Sequence, residues 1–157
     1  MKIIDNELLK KVSKDAILSP RKRMNHNFHD TYEAIVQRLL NALEPGTYVQ
    51  PHKHENPDKV ESFIVLKGKI LVVEFNDEGD VVKSCILSAS DGIFGVEIPP
   101  RAWHSIAALE SGSVVYETKE GPYSPGDDKN FATWAPKEGD PSCADYLRNL
   151  LIICNIQ

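Results

Sequence analysis

Apolar positions along this chain change their rhythm three times. Near the start, Leu8, Leu9, Val12 and Ile17 keep close to a helical period. That spacing predicts a short amphipathic helix over residues 5–16, capped by Asp5 or Asn6. Ser19-Pro20 breaks it, and residues 21–34 are polar and irregular. Ile35, Leu39, Leu40 and Leu43 also fit a helical period, so periodicity alone leaves this run open. A turn at Glu44-Pro45-Gly46-Thr47 follows directly, and a strand suits the hairpin-rich sequence beyond it better. From Tyr48 onward the rhythm is that of strands. Residues 62–66 run into a tight turn at Lys67-Gly68-Lys69. Residues 70–75 and 81–87 flank a hairpin loop at Asn76-Asp77-Glu78-Gly79-Asp80. Residues 93–98 follow the Asp91-Gly92 turn, and residues 103–109 and 113–118 are expected to pair around Glu110-Ser111-Gly112. Many short strands, with turn signals roughly every 8–12 residues, predict an all-β sandwich or barrel. After Gly126 the chain is irregular up to Pro141, and Ser142 can cap a last helix from Cys143 to Ile153. Three segments result: an N-terminal helical and irregular extension (1–34), a β-barrel (35–120), and a C-terminal irregular segment with a helix (121–157).

Composition narrows the class. At 157 residues the chain is long enough for one domain with a real core. A net charge of −5 argues against nucleic acid or an anionic membrane as partner, and the one basic cluster, Arg21-Lys22-Arg23, is short. The apolar run from Leu150 to Cys154 is too short to span a bilayer, and the N-terminus has early acidic residues and no apolar stretch of the secretory kind. A cytoplasmic location is the expectation. The three cysteines form no CxxC pair and read as free thiols, with Cys85 a small core residue.

Chemistry concentrates in four residues. His52 and His54 stand at i and i+2 on an extended segment after Pro51, so both imidazoles can face one point. Glu61 opens the next strand in step with Phe63 and Val65. A carboxylate on an apolar face needs a cation, either a metal or an arginine. His104 lies in step with Ala102 and Ile106, which points it inward as well. Three imidazole nitrogens and one carboxylate oxygen suit a divalent transition metal, Zn first, with Fe, Ni, Mn or Co as alternatives. Such a set leaves positions open for water or substrate. His26 and His29 have no comparable support and read as loop or surface residues, though their segment could fold over the barrel mouth. Trp103, next to His104, faces the other way and reads as packing.

Gly46, His52, His54, Glu61 and Gly68 follow the first motif of the cupin superfamily, and Pro99 and His104 follow the second. The chain resembles that superfamily, with departures. Six residues separate His54 from Glu61 where three or four are usual, a difference that an Asn56-Pro57-Asp58 turn would absorb. Arg101 replaces a motif glycine, Ala108 stands in place of an asparagine, and the second motif's first glycine is shifted to Gly92. More of the chain is similar to the WbuC-type cupin-fold metalloproteins, through Ser19-Pro20-Arg21-Lys22-Arg23, Asn27-Phe28-His29, the run from Val36 to Leu43, Pro51-His52-Lys53-His54, the run from Phe63 to Gly68, and Lys119-Glu120-Gly121-Pro122-Tyr123. The resemblance implies a double-stranded β-helix, or jelly-roll barrel, with one bound metal, and members of that family often sit in gene clusters for surface polysaccharide synthesis. It also draws attention to Gln37, Arg38, Asn41 and Lys119 as substrate-binding candidates and to Glu117 and Tyr123 as proton-moving ones. Each could equally belong to a polar outer face. Arg38 is the anion-binding candidate, because a guanidinium matches carboxylate or phosphate in a bidentate way.

Three functions fit these residues. A metal-dependent enzyme of isomerase, lyase or hydrolase type, acting on a small sugar-derived or acidic metabolite in the barrel, is favoured. An Fe(II) dioxygenase and a non-catalytic module that senses a small ligand are the alternatives. No helix-turn-helix segment supports a DNA-binding regulator. Cupins commonly pair through sheet edges, so a homodimer is expected.

Overall fold

The computed structural model describes residues 1–126 and 128–156. Two helices enclose two antiparallel five-stranded sheets in a jelly-roll arrangement. Helix α1 (Asn6–Leu18) is followed by β1 (Arg23–Asn27), β2 (Val36–Leu43), β3 (His52–Lys53), β4 (Glu61–Lys67) and β5 (Lys69–Phe75). Next come β6 (Val81–Ser88), β7 (Gly95–Ile98), β8 (Trp103–Ala108), β9 (Ser113–Glu120), β10 (Asn130–Phe131) and α2 (Cys143–Ile153). One sheet has the order β1-β2-β9-β4-β7, the other β10-β3-β8-β5-β6. Among the described residues, no helix is long and apolar enough to cross a membrane.

Side-chain parity explains the layering. Leu43, Phe63, Val65 and Val115 of the first sheet meet Ile70, Val72, Leu87 and Ile106 of the second in the interior core. The opposite parity of β2 and β9 presents Leu40, Ala42 and Val114 to Leu9, Val12 and Ala16 of α1. On the far side, Leu71, Val73 and Phe75 of β5 meet Leu147 and Leu150 of α2. Strand β5 is therefore covered on both faces, which is why Ile70-Leu71-Val72-Val73 is an unbroken apolar run. Asp5 caps α1 by accepting from the Leu8 N–H at 2.9 Å.

Two sequence expectations change. Residues 23–27 form a strand, paired with residues 39–43 of β2, inside a segment expected to be irregular. Strand β1 is an edge strand with no fully buried residue, so Arg-Met-Asn-His-Asn carries no apolar alternation to betray it. Strands β8 and β9 do not pair with each other. They lie in different sheets, and residues 109–112 carry the chain across. Glu44 fixes that corner, accepting from the Gly112 N–H at 2.7 Å and the Ser111 hydroxyl at 2.6 Å. A second crossing, β4 to β5, turns at Gly68, whose φ of +73° lies in the left-handed region.

Gly92 also has positive φ, at +81°, so alanine there or at Gly68 carries a backbone cost of about 1–2 kcal/mol. A Cβ at Gly68 would also sit 2.3 Å from Ser113 Oγ and 2.9 Å from Ser113 Cα, whereas at Gly92 nothing lies within 4 Å. Gly68→Ala should lower unfolding free energy by about 1–3 kcal/mol more than Gly92→Ala, measured by denaturant titration. Equal losses would show that the Ser113 corner yields freely.

Candidate metal centre

Three imidazoles approach from one sheet and a carboxylate from the other. His52 begins β3 and faces His104 of β8 as its cross-strand partner. His54 lies just beyond β3, on the same side of the chain. Glu61 is the first residue of β4 and reaches over from the opposite sheet, its Oε2 2.9 Å from His104 Nε2 and 3.3 Å from His54 Nε2. All four side chains are buried, at 3% exposure or less, and their candidate ligand atoms lie within 4.8 Å of one another.

Backbone carbonyls set the direction of each ring. His52 Nδ1 faces the Gln50 carbonyl at 3.0 Å, His104 Nδ1 the Ala102 carbonyl at 2.9 Å, and His54 Nδ1 the Asp128 carbonyl. A proton on each Nδ1 satisfies those carbonyls and leaves the Nε2 lone pairs aimed at the common centre. Those lone pairs and the Glu61 carboxylate then face each other, which is favourable only around a cation. His52 Nε2 is buried and has no hydrogen-bond partner among the described residues, a state that costs about 1–3 kcal/mol unless something fills it. Burial, together with the charge of Lys129, pushes the His52 pKa well below its ordinary value, so this ring is a neutral donor. Burial alone would raise the Glu61 pKa. Without an ion, when the Nε2 atoms of His104 and His54 carry protons, their hydrogen bonds and the charge of Lys119 overcome it and hold this group well below the ordinary carboxylate range. The four residues fit a divalent transition metal and can hold one.

The long His54–Glu61 connection folds as the sequence suggests, with a turn over residues 55–58. Arg101 clamps it. Its N–H donates to the His54 carbonyl at 3.0 Å, and its Nε donates to Asp58 at 2.9 and 3.1 Å. Arg101 adopts φ +66°, so the left-handed geometry that glycine usually supplies is kept by an arginine with an ion pair to the inserted turn.

Beside the ligands lies a cavity of about 360 Å³. Glu117 borders it and accepts from Asn41 Nδ2 at 3.0 Å. Burial and the nearby Glu61 charge push the Glu117 pKa up to about 7, against the opposing pull of Lys119, Lys129 and the Asn41 hydrogen bond. Lys119 is tied to Asp128 and lies 4.0 Å from Glu61. Those carboxylates and Glu117 hold its pKa above the ordinary value despite burial. Gln37 borders the cavity too, but its amide donates to the carbonyls of Tyr32 (3.1 Å) and Ala34 (2.9 Å) and so shapes the wall. Tyr123 lines the opening, its ring 5.0 Å from that of Tyr32.

Arg38 is a correction. It has the parity of Leu40 and Ala42, not that of Leu39 and Asn41, and it is exposed outside the sheet, away from the cavity. His29 takes the second of its two expected places. It is buried, lines the cavity, and accepts the Arg38 N–H at 3.0 Å, whereas His26 does not reach the cavity and packs against Phe28. Trp103 faces away from the centre, as expected, and packs near Phe75 and Trp134. Sequence reasoning missed Asp128 and Lys129. They follow a Pro-Gly turn in an irregular run, and only the long-range return of that run to β3 brings them to the ligands. No local pattern announces them.

The profile of DUF6016, described as a domain of unknown function, matches residues 4–87. The chain belongs to the DUF6016 family. Solved structures extend the comparison for this DUF6016 chain, and its neighbours are cupin-fold proteins. It is 26% identical to the capsular polysaccharide assembling protein CapF from Staphylococcus aureus, with a TM-score of 0.51 over 60% of this chain. That match spans only 26% of the CapF chain. KdgF from Halomonas sp. is 20% identical, with a TM-score of 0.50, covering 66% of this chain and 82% of that one. TT1209 from Thermus thermophilus is 19% identical, with a TM-score of 0.54, covering 76% and 97%. The last two establish a common fold. No curated protein matches the sequence.

The raised Glu117 pKa makes stability depend on pH. A carboxyl whose folded pKa is about 7, against an ordinary 4.5, binds its proton more tightly when folded. Its contribution is complete below pH 4.5 and is lost as pH rises through 7. In metal-stripped protein, wild type should therefore lose about 2–3 kcal/mol relative to Glu117→Gln between pH 4.5 and 7.5, at ~1.4 kcal/mol per pKa unit. Denaturant titrations at the two pH values measure it, and a flat difference would contradict the raised pKa.

Proposed function

We propose that this chain is a metal-dependent enzyme that holds one divalent ion, Zn by preference, on His52, His54, Glu61 and His104. Its proposed substrate is a small sugar-derived or acidic metabolite bound in the adjoining cavity. The observation that carries the reading is the unpartnered His52 Nε2, buried at the focus of three imidazoles and a carboxylate. A closed structural site would bury its ion with no room beside it. Here the ligand set borders a cavity, as catalytic sites do. When bound, the ion would polarise a substrate oxygen or lower the pKa of a bound water.

The remaining work falls to the chain's own residues. Glu117, buried at the cavity wall beside the ligand set, is placed to take or return a proton at its Oε atoms. Asn41 orients it through the 3.0 Å bond. Lys119, pinned by Asp128, keeps positive charge beside Glu61 and Glu117 without needing to move. Tyr32 and Tyr123 narrow the opening and limit water. This pairing of a proton-moving carboxyl with the ligand set favours an enzyme over a ligand sensor.

A role linked to surface polysaccharide synthesis is part of the proposal. It is supported by the likeness to the WbuC-type metalloproteins and by the described role of CapF in capsular polysaccharide assembly. Metal analysis of protein purified without a chelating tag should find about one equivalent of Zn per chain. His52→Ala and His104→Ala should each reduce it to near zero. Added Zn should raise the melting temperature of wild type, by about 4 kcal/mol of stabilisation at a thousandfold excess over Kd, and leave both variants unchanged. Undiminished metal in both variants would refute the site.

A further inference from the structure

The cavity contains two polar groups that neither the ligand set nor the proton-moving pair uses. The first is Asn41 Oδ1. Asn41 is only 9% exposed and lines the cavity, its Nδ2 is committed to Glu117, and its Oδ1 is buried without a partner among the described residues. An acceptor in that state needs a donor from whatever fills the space. The second is Lys129, immediately before β10. Its side chain lines the cavity, and among the described residues it makes no hydrogen bond or ion pair; burial and the Lys119 charge lower its pKa against the pull of Glu61, Glu117 and Asp128. Lys59 and Lys119, by contrast, are both paired to Asp128.

From these two groups we infer that the cavity binds a small hydroxy-carboxylate, its carboxylate on Lys129 Nζ and a hydroxyl donating to Asn41 Oδ1. Charge supports an anion. The cavity is lined by four basic side chains (Arg21, Arg23, Lys119, Lys129) and four acidic ones (Glu61, Glu117, Asp128, Glu138). A divalent ion on the ligand set therefore leaves it net positive. Lysine is a single point charge and suits a monoanion, whereas a phosphate dianion is best held by a guanidinium fork. Arg23, the half-buried guanidinium, is already taken by Glu138 and the Tyr48 carbonyl. The donor to Asn41 is taken as a hydroxyl, because an ammonium would add positive charge to a cavity that the metal already leaves net positive. Asn25 and Asn27 of β1 add further polar groups to the same wall. A volume of about 360 Å³ is at the small end of ligand cavities and fits a six-carbon acid.

This inference rests on the metal reading for its overall charge, and the test separates the two. D-Gluconate, the neutral D-glucitol and the dianionic glucose 6-phosphate are titrated calorimetrically into Zn-supplemented protein whose metal content is assayed in parallel. Gluconate should bind at least about tenfold more tightly than glucitol. Lys129→Gln should weaken gluconate about ten- to a hundredfold, the range of one charged hydrogen bond, and leave glucitol unchanged. Lys129→Arg should retain the preference, and Asn41→Ala should weaken both ligands with metal content intact. Equal binding of gluconate and glucitol, unaltered gluconate affinity in Lys129→Gln, binding of neither ligand, or a stronger preference for glucose 6-phosphate would each overturn the inference. If wild type retains no metal, the metal reading falls. A gluconate preference that vanishes with Lys129→Gln would still support the subsite.

Discussion

Glu61 reaching from one sheet to three histidines of the other is the constraint around which the site is arranged. A carboxylate at 2% exposure is costly unless cations or donors surround it. The chain sets Lys119 at 4.0 Å, and the His54 and His104 Nε2 atoms at 3.3 and 2.9 Å complete a shell that suits a cation. Because the four ligand residues come from both sheets, the centre depends on the registers of both. His52 pairs with His104, and Glu61 is flanked by Ile98 and Lys119. A one-residue slip in any of these strands would turn its ligand to the opposite face. The interior apolar core fixes those registers, so packing and the meeting of the four candidate ligands depend on the same strand pairings.

A second tier of charge stabilises this arrangement. Asp128 accepts from Lys59 at 2.9 Å and from Lys119, and its backbone carbonyl faces His54 Nδ1. Its carboxyl is held below the ordinary range, the two lysines outweighing its burial. The segment returning from Tyr123 to β10 is thus anchored to the ligand end of the barrel by ion pairs as well as by the short β3–β10 ladder. Buried pairs of this kind seldom add net stability, but removing one partner leaves a buried charge unpaired. Their role here is positional. They fix the ring of His54 and line one wall of the cavity.

The part of the fold written in local patterns was legible. The helical rhythm of Leu8, Leu9 and Val12 and the Asp5 cap predicted α1, and the turn after Leu43 rightly favoured a strand over a helix for β2. Strand β1 was not legible, because an edge strand with both faces partly open needs no apolar alternation. The β8–β9 connection was misread for a related reason. A tight turn looks the same in sequence whether it closes a hairpin or crosses between sheets, and the Glu44 contacts that decide it come from some 70 residues away. Arg38 shows how one position of parity matters, since Gln37 and Asn41 face the cavity while Arg38, between them, faces out.

The sequence by itself determined the donor types, their spacing and the strand parity that turns His52, His54, Glu61 and His104 inward. Those features depend on residues a few positions apart, where alternation on a strand is a reliable guide. Only the tertiary structure decided that the four meet at one point, that Glu117 sits where burial raises its pKa to about 7, and that Lys129 lines the cavity while Arg38 does not. Those outcomes depend on how two sheets stack and on where an irregular segment returns. Such long-range contacts leave no periodic trace in the chain.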